Sequence, residues 1–180
     1  MKKIAVVVLS TAAFIALTGC SKSLESQLIG KWNYSTDLNL AGDENAKNPK
    51  MHIECNDEFF PNKSVTHDCK FTVNAETKTP DGQMAKFEIA GTAKATGEWS
   101  VTKDSVYDKT VDGKFEVESF SVNGQKIDDA NTLAEITQGM SNIFMKGETT
   151  VSKSVSIDKD KWIFEEEIEK NKVTITANRR

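Results

Sequence analysis

The sequence predicts a mainly β protein, either an antiparallel β-barrel or a β-sandwich, with one amphipathic helix. Apolar and polar residues alternate in about ten short segments, as they do in strands with one buried face. Turn-forming pairs such as Asp112-Gly113 and Asn123-Gly124 separate several of these segments. Because a long antiparallel sheet must protect its edges by closing or by stacking, both architectures fit the pattern.

The first 19 residues have the layout of a bacterial export signal. Lys2 and Lys3 precede an apolar run over 4–17 that is shorter than the roughly 20 residues of a spanning helix. The segment Leu17-Thr18-Gly19-Cys20 resembles the lipobox of bacterial lipoproteins. That resemblance implies cleavage before Cys20, a diacylglycerol on its thiol and a fatty acid on the new amino terminus. The alternative is an ordinary signal peptide with a chance cysteine.

The lipobox resemblance also implies a location. Several acyl chains hold a protein at a membrane stably, whereas one does so only marginally. In enterobacterial lipoproteins an aspartate after the cysteine favours the inner membrane, and here that residue is Ser21. We therefore expect an outer-membrane anchor facing the periplasm, with a signal peptide over 1–19, a lipidated tether over 20–27 and one barrel domain over 28–180.

The composition excludes several classes of function. The net charge is -4 and no basic stripe is present, so nucleic acid is not an expected partner. The sequence lacks a P-loop, a dinucleotide-binding glycine cluster and an HExxH metal motif. The sequence contains only two histidines, so few residues could act as the base of a serine-based catalytic triad. We expect a protein that is not an enzyme and that uses no cofactor or metal.

The chain begins its strands after a helical turn that carries Leu24 and Leu28. The first strand places Trp32, Tyr34 and Leu38 on one face, since alternate residues of a strand point the same way. Further strands are predicted over 51–60, 64–74, 84–93, 97–101, 105–111, 114–122, 148–157, 162–168 and 173–179. The run Glu165-Glu166-Glu167 is interpreted as a solvated strand flank.

One segment has helical periodicity instead. Apolar residues over 128–146 recur at spacings of three and four, with Asp129 or Asn131 as the cap. These residues are Leu133, Ile136, Met140, Ile143 and Phe144. The sequence therefore predicts a single amphipathic helix that covers part of the sheet.

Gly30-Lys31-Trp32, at the start of the first strand, resembles the G-x-W motif of lipocalins. This resemblance implies an up-and-down barrel in which Trp32 seals one end and a late arginine, here Arg179, lies against it by a contact worth about 1 kcal/mol. It also implies an internal site for a small apolar or amphipathic ligand. The predicted helix precedes the last strands, whereas lipocalins carry theirs after them.

The hairpin around Pro61-Asn62 allows a register to be predicted. If Cys55 lies opposite Cys69, both cysteines fall on the apolar face of the hairpin. In an oxidising compartment these two cysteines form a disulfide, with Cys20 used by lipid. The alternative is a zinc site of His52, Cys55, His67 and Cys69, although His52 and Cys55 then point to opposite faces.

The same register places Asp57 opposite His67 on the inner face. They form either a structural pair or, with Phe59 and Phe71, part of a ligand site, because buried polar groups need partners. Two functions remain open. One is a ligand-binding barrel at the envelope. The other is a solid barrel that acts on an envelope protein, as an inhibitor or assembly factor.

Overall fold

The structure is a computed structural model that describes residues 22–40, 46–79, 81–144, 147, 149–168 and 171–180. The predicted signal peptide and the lipidation site Cys20 lie outside the described residues. The strands are β1 (Gly30–Asn39), β2 (Ala46–Phe59), β3 (Ser64–Lys78), β4 (Met84–Thr102), β5 (Ser105–Val122), β6 (Gln125–Lys126), β7 (Thr149–Ile157), β8 (Lys161–Ile168) and β9 (Asn171–Arg179). The helices are α1 (Leu24–Leu28) and α2 (Ala130–Phe144).

Eight of the strands close into an antiparallel barrel. Each of these eight strands pairs with the next one of the barrel along the chain, so that β5 pairs with β7, and β9 returns to pair with β1. The two-residue β6 pairs only with the end of β5. Closure leaves no long unpaired edge in the sheet. The predicted mainly β barrel with one amphipathic helix is confirmed, and the β-sandwich alternative is not adopted.

The barrel has fewer and longer strands than the sequence predicts. The segments 84–93 and 97–101 form the single strand β4, and 105–111 and 114–122 form β5. The predicted turn at Asp112-Gly113 is wrong, because these residues pair with Thr96 and Ala95 inside the sheet. The register shifts by one residue between Thr96 and Gly97, which leaves Val111 unpaired and 51% exposed. A bulge of this kind bends a strand and lets it follow the wall of a barrel.

One end of the barrel, called the closed end, is filled around Trp32 and Leu28, which are fully buried. Helix α1 packs Leu24 and Leu28 there, although the predicted boundary assigns Leu24 to the tether. Trp32 Nε1 donates a hydrogen bond to the Leu28 carbonyl at 2.7 Å. The Arg179 guanidinium lies 4.3 Å from the centre of the Trp32 ring, as the lipocalin resemblance implies.

Gly30 makes the Arg179 contact at the closed end possible. Its φ of +129° is one that residues with a side chain rarely adopt, and a Cβ there would lie 2.7 Å from Arg179 Nη1. Arg179 Nη1 instead donates to the Ile29 carbonyl at 2.9 Å, and Nη2 donates to the Gln27 carbonyl. The side chain thus ties the last strand to the segment that precedes the first.

The opposite end, called the α2 end, is covered by the long helix. Leu133, Ile136 and Met140 pack against a second buried cluster that includes Phe71 and Phe115. Asp129 acts as the helix cap, because its Oδ2 accepts from the Thr132 backbone N–H at 2.8 Å. The helix lies between β6 and β7 in the chain, as the sequence predicts.

Candidate functional site

A cavity of about 250 Å³ lies inside the barrel and reaches residues of both buried clusters. Most of its wall is apolar. Its aromatic wall residues are Tyr34, Phe59, Phe71, Phe115, Trp162 and Phe164. The wall also contains a polar group, named here the acidic cluster, which consists of Asp57, His67, Asp108 and Glu166.

The β2–β3 hairpin places the predicted site residues as its register requires. Cys55 pairs with Cys69, and Asp57 pairs with His67. All four predicted ligand residues, Asp57, Phe59, His67 and Phe71, line the cavity. Phe71 is 3% exposed and stacks on Phe115 with ring centres 4.4 Å apart.

Cys55 and Cys69 form the predicted disulfide, which faces the cavity. The zinc alternative is not adopted, since both sulfurs are bonded to each other. His52 also lies on the outer face, where its Nδ1 is 2.7 Å from Asp37 Oδ1. Within the described part of the chain, the one cluster of closely spaced metal-type donors contains these two bonded cysteines and Asp57.

His67 is held between two carboxylates. Its Nδ1 lies 2.9 Å from Asp57 Oδ1, and its Nε2 lies 3.0 Å from Asp108 Oδ2. Burial alone would lower the pKa of His67, but the hydrogen bonds to Asp108 and Asp57 outweigh it and raise the pKa to about 10. The imidazole therefore carries a positive charge at neutral pH, and both of its nitrogens donate to protein carboxylates.

The carboxyl groups of the acidic cluster are also perturbed. Burial raises the pKa of Asp57, and the hydrogen bond to His67 only partly opposes this. Burial likewise raises the pKa of Glu166, whose Oε1 accepts a hydrogen bond from the Ser152 hydroxyl. Ionised carboxylates are costly in a poorly hydrated space, so these two groups favour a nearby positive charge.

The sequence interpretation missed Glu166 and Asp108. The run Glu165-Glu166-Glu167 is not uniformly solvated, because Glu166 lines the cavity. The missed signal is strand parity. Glu166 shares its face of β8 with Trp162 and Phe164, and Asp108 shares its face of β5 with Val106 and Thr110. A charged residue two positions from a buried residue in a regular strand points inward as well, whatever its immediate neighbours in the sequence are.

Glycine at position 97 leaves room for Asp108. A Cβ there would lie 3.0 Å from Asp108 Oδ1 and 2.7 Å from the Lys109 carbonyl oxygen. Asp108 Oδ1 is buried and has no hydrogen-bond partner among the described residues. Buried acceptors without partners are uncommon in folded proteins. This oxygen is packed beside Gly97 and is closed off from the open part of the cavity.

No protein-family model matches the chain, and no curated protein is significantly similar to it. Among the described residues, none of the helices combines the length and the apolar character needed to cross a bilayer.

Proposed function

We propose that this protein binds a small molecule with an apolar body inside its barrel, and that it does so at the bacterial envelope. The observation that carries the proposal is the cavity of about 250 Å³, which combines apolar walls with one polar cluster. Ligand pockets typically have this composition, with a few placed polar groups that orient the ligand.

The cavity volume limits the size of the ligand. An engineered apolar cavity of about 150 Å³ accepts benzene, and the cavity here is larger at about 250 Å³. It suits a short alkyl chain or a single ring with a polar substituent. Each methylene moved from water to such walls contributes about 0.8 kcal/mol, so a six-carbon chain gains roughly 5 kcal/mol before the costs of binding.

The lipobox resemblance supports anchoring at Cys20, and the fold adds an orientation to that proposal. Helix α1 begins at Leu24 and packs at the closed end of the barrel. The four Cα–Cα steps from Cys20 to Leu24 span at most about 15 Å. A lipid on Cys20 would hold the closed end near the membrane and direct the α2 end away from it.

The cavity favours a ligand-binding barrel over the alternative of a solid barrel that acts only through its outer surface. A solid barrel fills its interior with side chains at the density of other protein cores. Here the space between the two buried clusters is open, and its wall carries ionisable groups that a structural core rarely needs.

A cavity-filling variant tests the proposal. Ala95 lines the cavity, and its neighbour Thr96 is exposed on the same strand. The mature protein is recovered from bacterial membranes in mild detergent and co-purified small molecules are identified by mass spectrometry. We expect Ala95→Leu to lose the molecule and Thr96→Leu to retain it, with unchanged circular dichroism in both. Equal content in the two variants, or none in the wild type, would contradict the proposal.

A further inference from the structure

We infer that the ligand is an organic cation, an alkylammonium with a short apolar body. This inference rests on the proposed function and deepens it, because it names the charge of the molecule that the cavity accepts. It follows from the charge balance of the acidic cluster, from the hydrogen bonds already made inside it and from the aromatic wall.

The charge balance of the cavity is negative. Its wall contains the carboxyl groups of Asp57, Asp108 and Glu166 against the single imidazole of His67. Among the described residues, no lysine or arginine side chain lines the cavity. With all three carboxyl groups ionised, the cluster carries two negative charges, and each proton taken up by Asp57 or Glu166, whose pKa values burial raises, removes one of them. A bound cation opposes this protonation, because it stabilises the ionised carboxylates. Attraction between charges is strong where water is scarce, so this space favours a cation and opposes an anion.

The hydrogen bonds inside the cluster also disfavour an anionic head group. An anion such as a fatty acid carboxylate requires donors, and among the described residues that line the cavity His67 is the only cationic one. Both ring nitrogens of His67 are used, one by Asp57 at 2.9 Å and the other by Asp108 at 3.0 Å. The nearby Ser152 hydroxyl donates to Glu166. A carboxylate ligand would have to break these bonds to reach His67 or Ser152, which leaves it neutral hydroxyl donors such as those of Thr110 and Thr150.

An unused acceptor matches an ammonium donor. Asp108 Oδ1 is buried without a hydrogen-bond partner among the described residues, while its Oδ2 binds His67. Because Oδ1 is packed beside Gly97, the Asp108 carboxylate must rotate before Oδ1 can face the cavity. A ligand N–H⁺ that meets the rotated carboxylate makes a charge-assisted hydrogen bond, which is stronger than one between neutral groups. The geometry supplies an acceptor for a cation and no free cationic donor for an anion.

The aromatic wall suits the same chemistry. The rings of Tyr34 and Phe164 pack edge to face with their centres 6.0 Å apart, and the rings of Phe164 and Trp162 stack with their centres 4.1 Å apart. All three line the cavity beside Glu166. The faces of such rings attract ammonium groups, and rings together with carboxylates form cages for alkylated amines. The remaining apolar wall receives the alkyl body.

Three probes of equal chain length test the charge. The mature lipidated protein is placed in lipid nanodiscs, and hexylammonium, hexanol and hexanoate are titrated by calorimetry against empty nanodiscs as the blank. We expect hexylammonium to bind at least about tenfold more tightly than hexanol, because its positive charge is attracted by the carboxylates. Hexanoate should bind more weakly than both, because the same carboxylates repel its negative charge.

Single substitutions test which carboxylates cause the preference for a cation. Glu166→Gln and Asp108→Asn each remove one carboxylate from the cavity, and each should reduce the preference for hexylammonium over hexanol by about tenfold. The matched control is Glu167→Gln, which removes an exposed charge from the residue next to Glu166 and should keep the wild-type preference. If Asp108→Asn does not fold, Glu166→Gln still decides the question.

The outcomes separate this inference from the proposed function. Binding of hexanol or hexanoate as tightly as hexylammonium would overturn the cation inference and leave the ligand-binding function standing. A preference for hexylammonium that persists unchanged in Glu166→Gln and Asp108→Asn would also overturn it. If none of the three probes binds, the proposed function fails, and the inference fails with it.

Discussion

The two histidines of this protein lie on opposite faces of neighbouring strands, and each is placed beside two carboxylates. On the outer face, His52 lies 2.7 Å from Asp37 and 3.5 Å from Glu54. On the inner face, His67 lies 2.9 Å from Asp57 and 3.0 Å from Asp108. The partners and distances are similar, so the comparison isolates the effect of the surroundings.

Burial separates the two sites. The side chains of His52 and Asp37 are 45% and 85% exposed, whereas those of His67 and Asp57 are 18% and 8% exposed. The hydrogen bond to Asp37 raises the pKa of His52, but water screens this exposed pair. Two carboxylates raise the pKa of His67 to about 10 despite its burial. The same chemical group is therefore a weak surface contact at one site and a fixed internal charge at the other.

The largest expected difference concerns stability. His67→Gln leaves Asp57 and Asp108 buried without a cation, and breaking a buried ion pair costs about 3 to 5 kcal/mol. His52→Gln removes an exposed pair, which is worth at most about 1 kcal/mol. Urea unfolding at pH 7, followed by tryptophan fluorescence, measures both. Equal losses of stability in the two variants would show that burial does not distinguish the two histidine sites.

The disulfide sharpens the contrast between the faces, because it joins β2 to β3 on the inner face only. Its cysteines are 14 residues apart in the sequence, and closing a loop of about 15 residues stabilises a fold by roughly 3 kcal/mol in the chain-entropy model. Dithiothreitol should lower the urea midpoint of the wild type accordingly. A Cys55→Ser, Cys69→Ser double variant should not respond, and a response there would show that the reductant acts elsewhere.

The dependence of stability on pH tests the charge of His67. Its pKa is about 10 in the fold and 6.5 without it, so the stabilisation is complete below pH 6.5 and is lost as the pH rises through 10. The decline is at most about 1.4 kcal/mol per pH unit. The raised pKa values of Asp57 and Glu166 also make the free energy of unfolding fall as the pH rises above the ordinary carboxyl pKa.

Unfolding titrations between pH 7 and about 9.5 measure this decline. We expect the wild type and His52→Gln to lose stability in parallel, and His67→Gln to change less over the same range. A slope in His67→Gln as steep as that of the wild type would assign the titration to another group.

The smallest effect is expected from the glutamates of β8. Glu166→Gln removes a carboxylate whose ionisation burial opposes and keeps an acceptor for Ser152, so stability should stay equal or rise by about 1 kcal/mol or less. Glu167→Gln on the outer face should change stability by no more than about 0.5 kcal/mol. Thermal melts of both variants at one pH provide the measurement, and a large loss in Glu166→Gln would mean that its charge is needed for folding.

Local pattern made much of this molecule predictable. Period-two alternation predicts strands. Setting Cys55 opposite Cys69 in one hairpin was enough to predict that Asp57 meets His67, and both pairings are present. The spacing of Leu133, Ile136 and Met140 predicts α2. These features depend on neighbours close in the chain, and such neighbours are visible in the sequence.

The same patterns did not predict that neighbouring extended segments continue into the single long strands β4 and β5. Asp112-Gly113 is suited to a turn, yet it lies within β5 because pairing with β4 continues past it and a bulge absorbs the extra residue. The bulged residue is Val111, whereas Asp112 and Gly113 have partners in β4. Whether such a pair of residues forms a turn or continues a strand depends on whether a partner strand is present, and that is a property of the sheet.

The amino-acid sequence by itself determined which segments are extended, the position of the helix, and the half of the acidic cluster that the β2–β3 hairpin carries once Cys55 is set opposite Cys69. Only the tertiary structure decided that Asp108 contacts His67, that Glu166 lines the same cavity from another distant strand, and that the space inside the barrel is open. Barrel closure sets which strands face each other across the interior. The charge of the cavity depends on that closure, since it is the sum of side chains that no local pattern brings together.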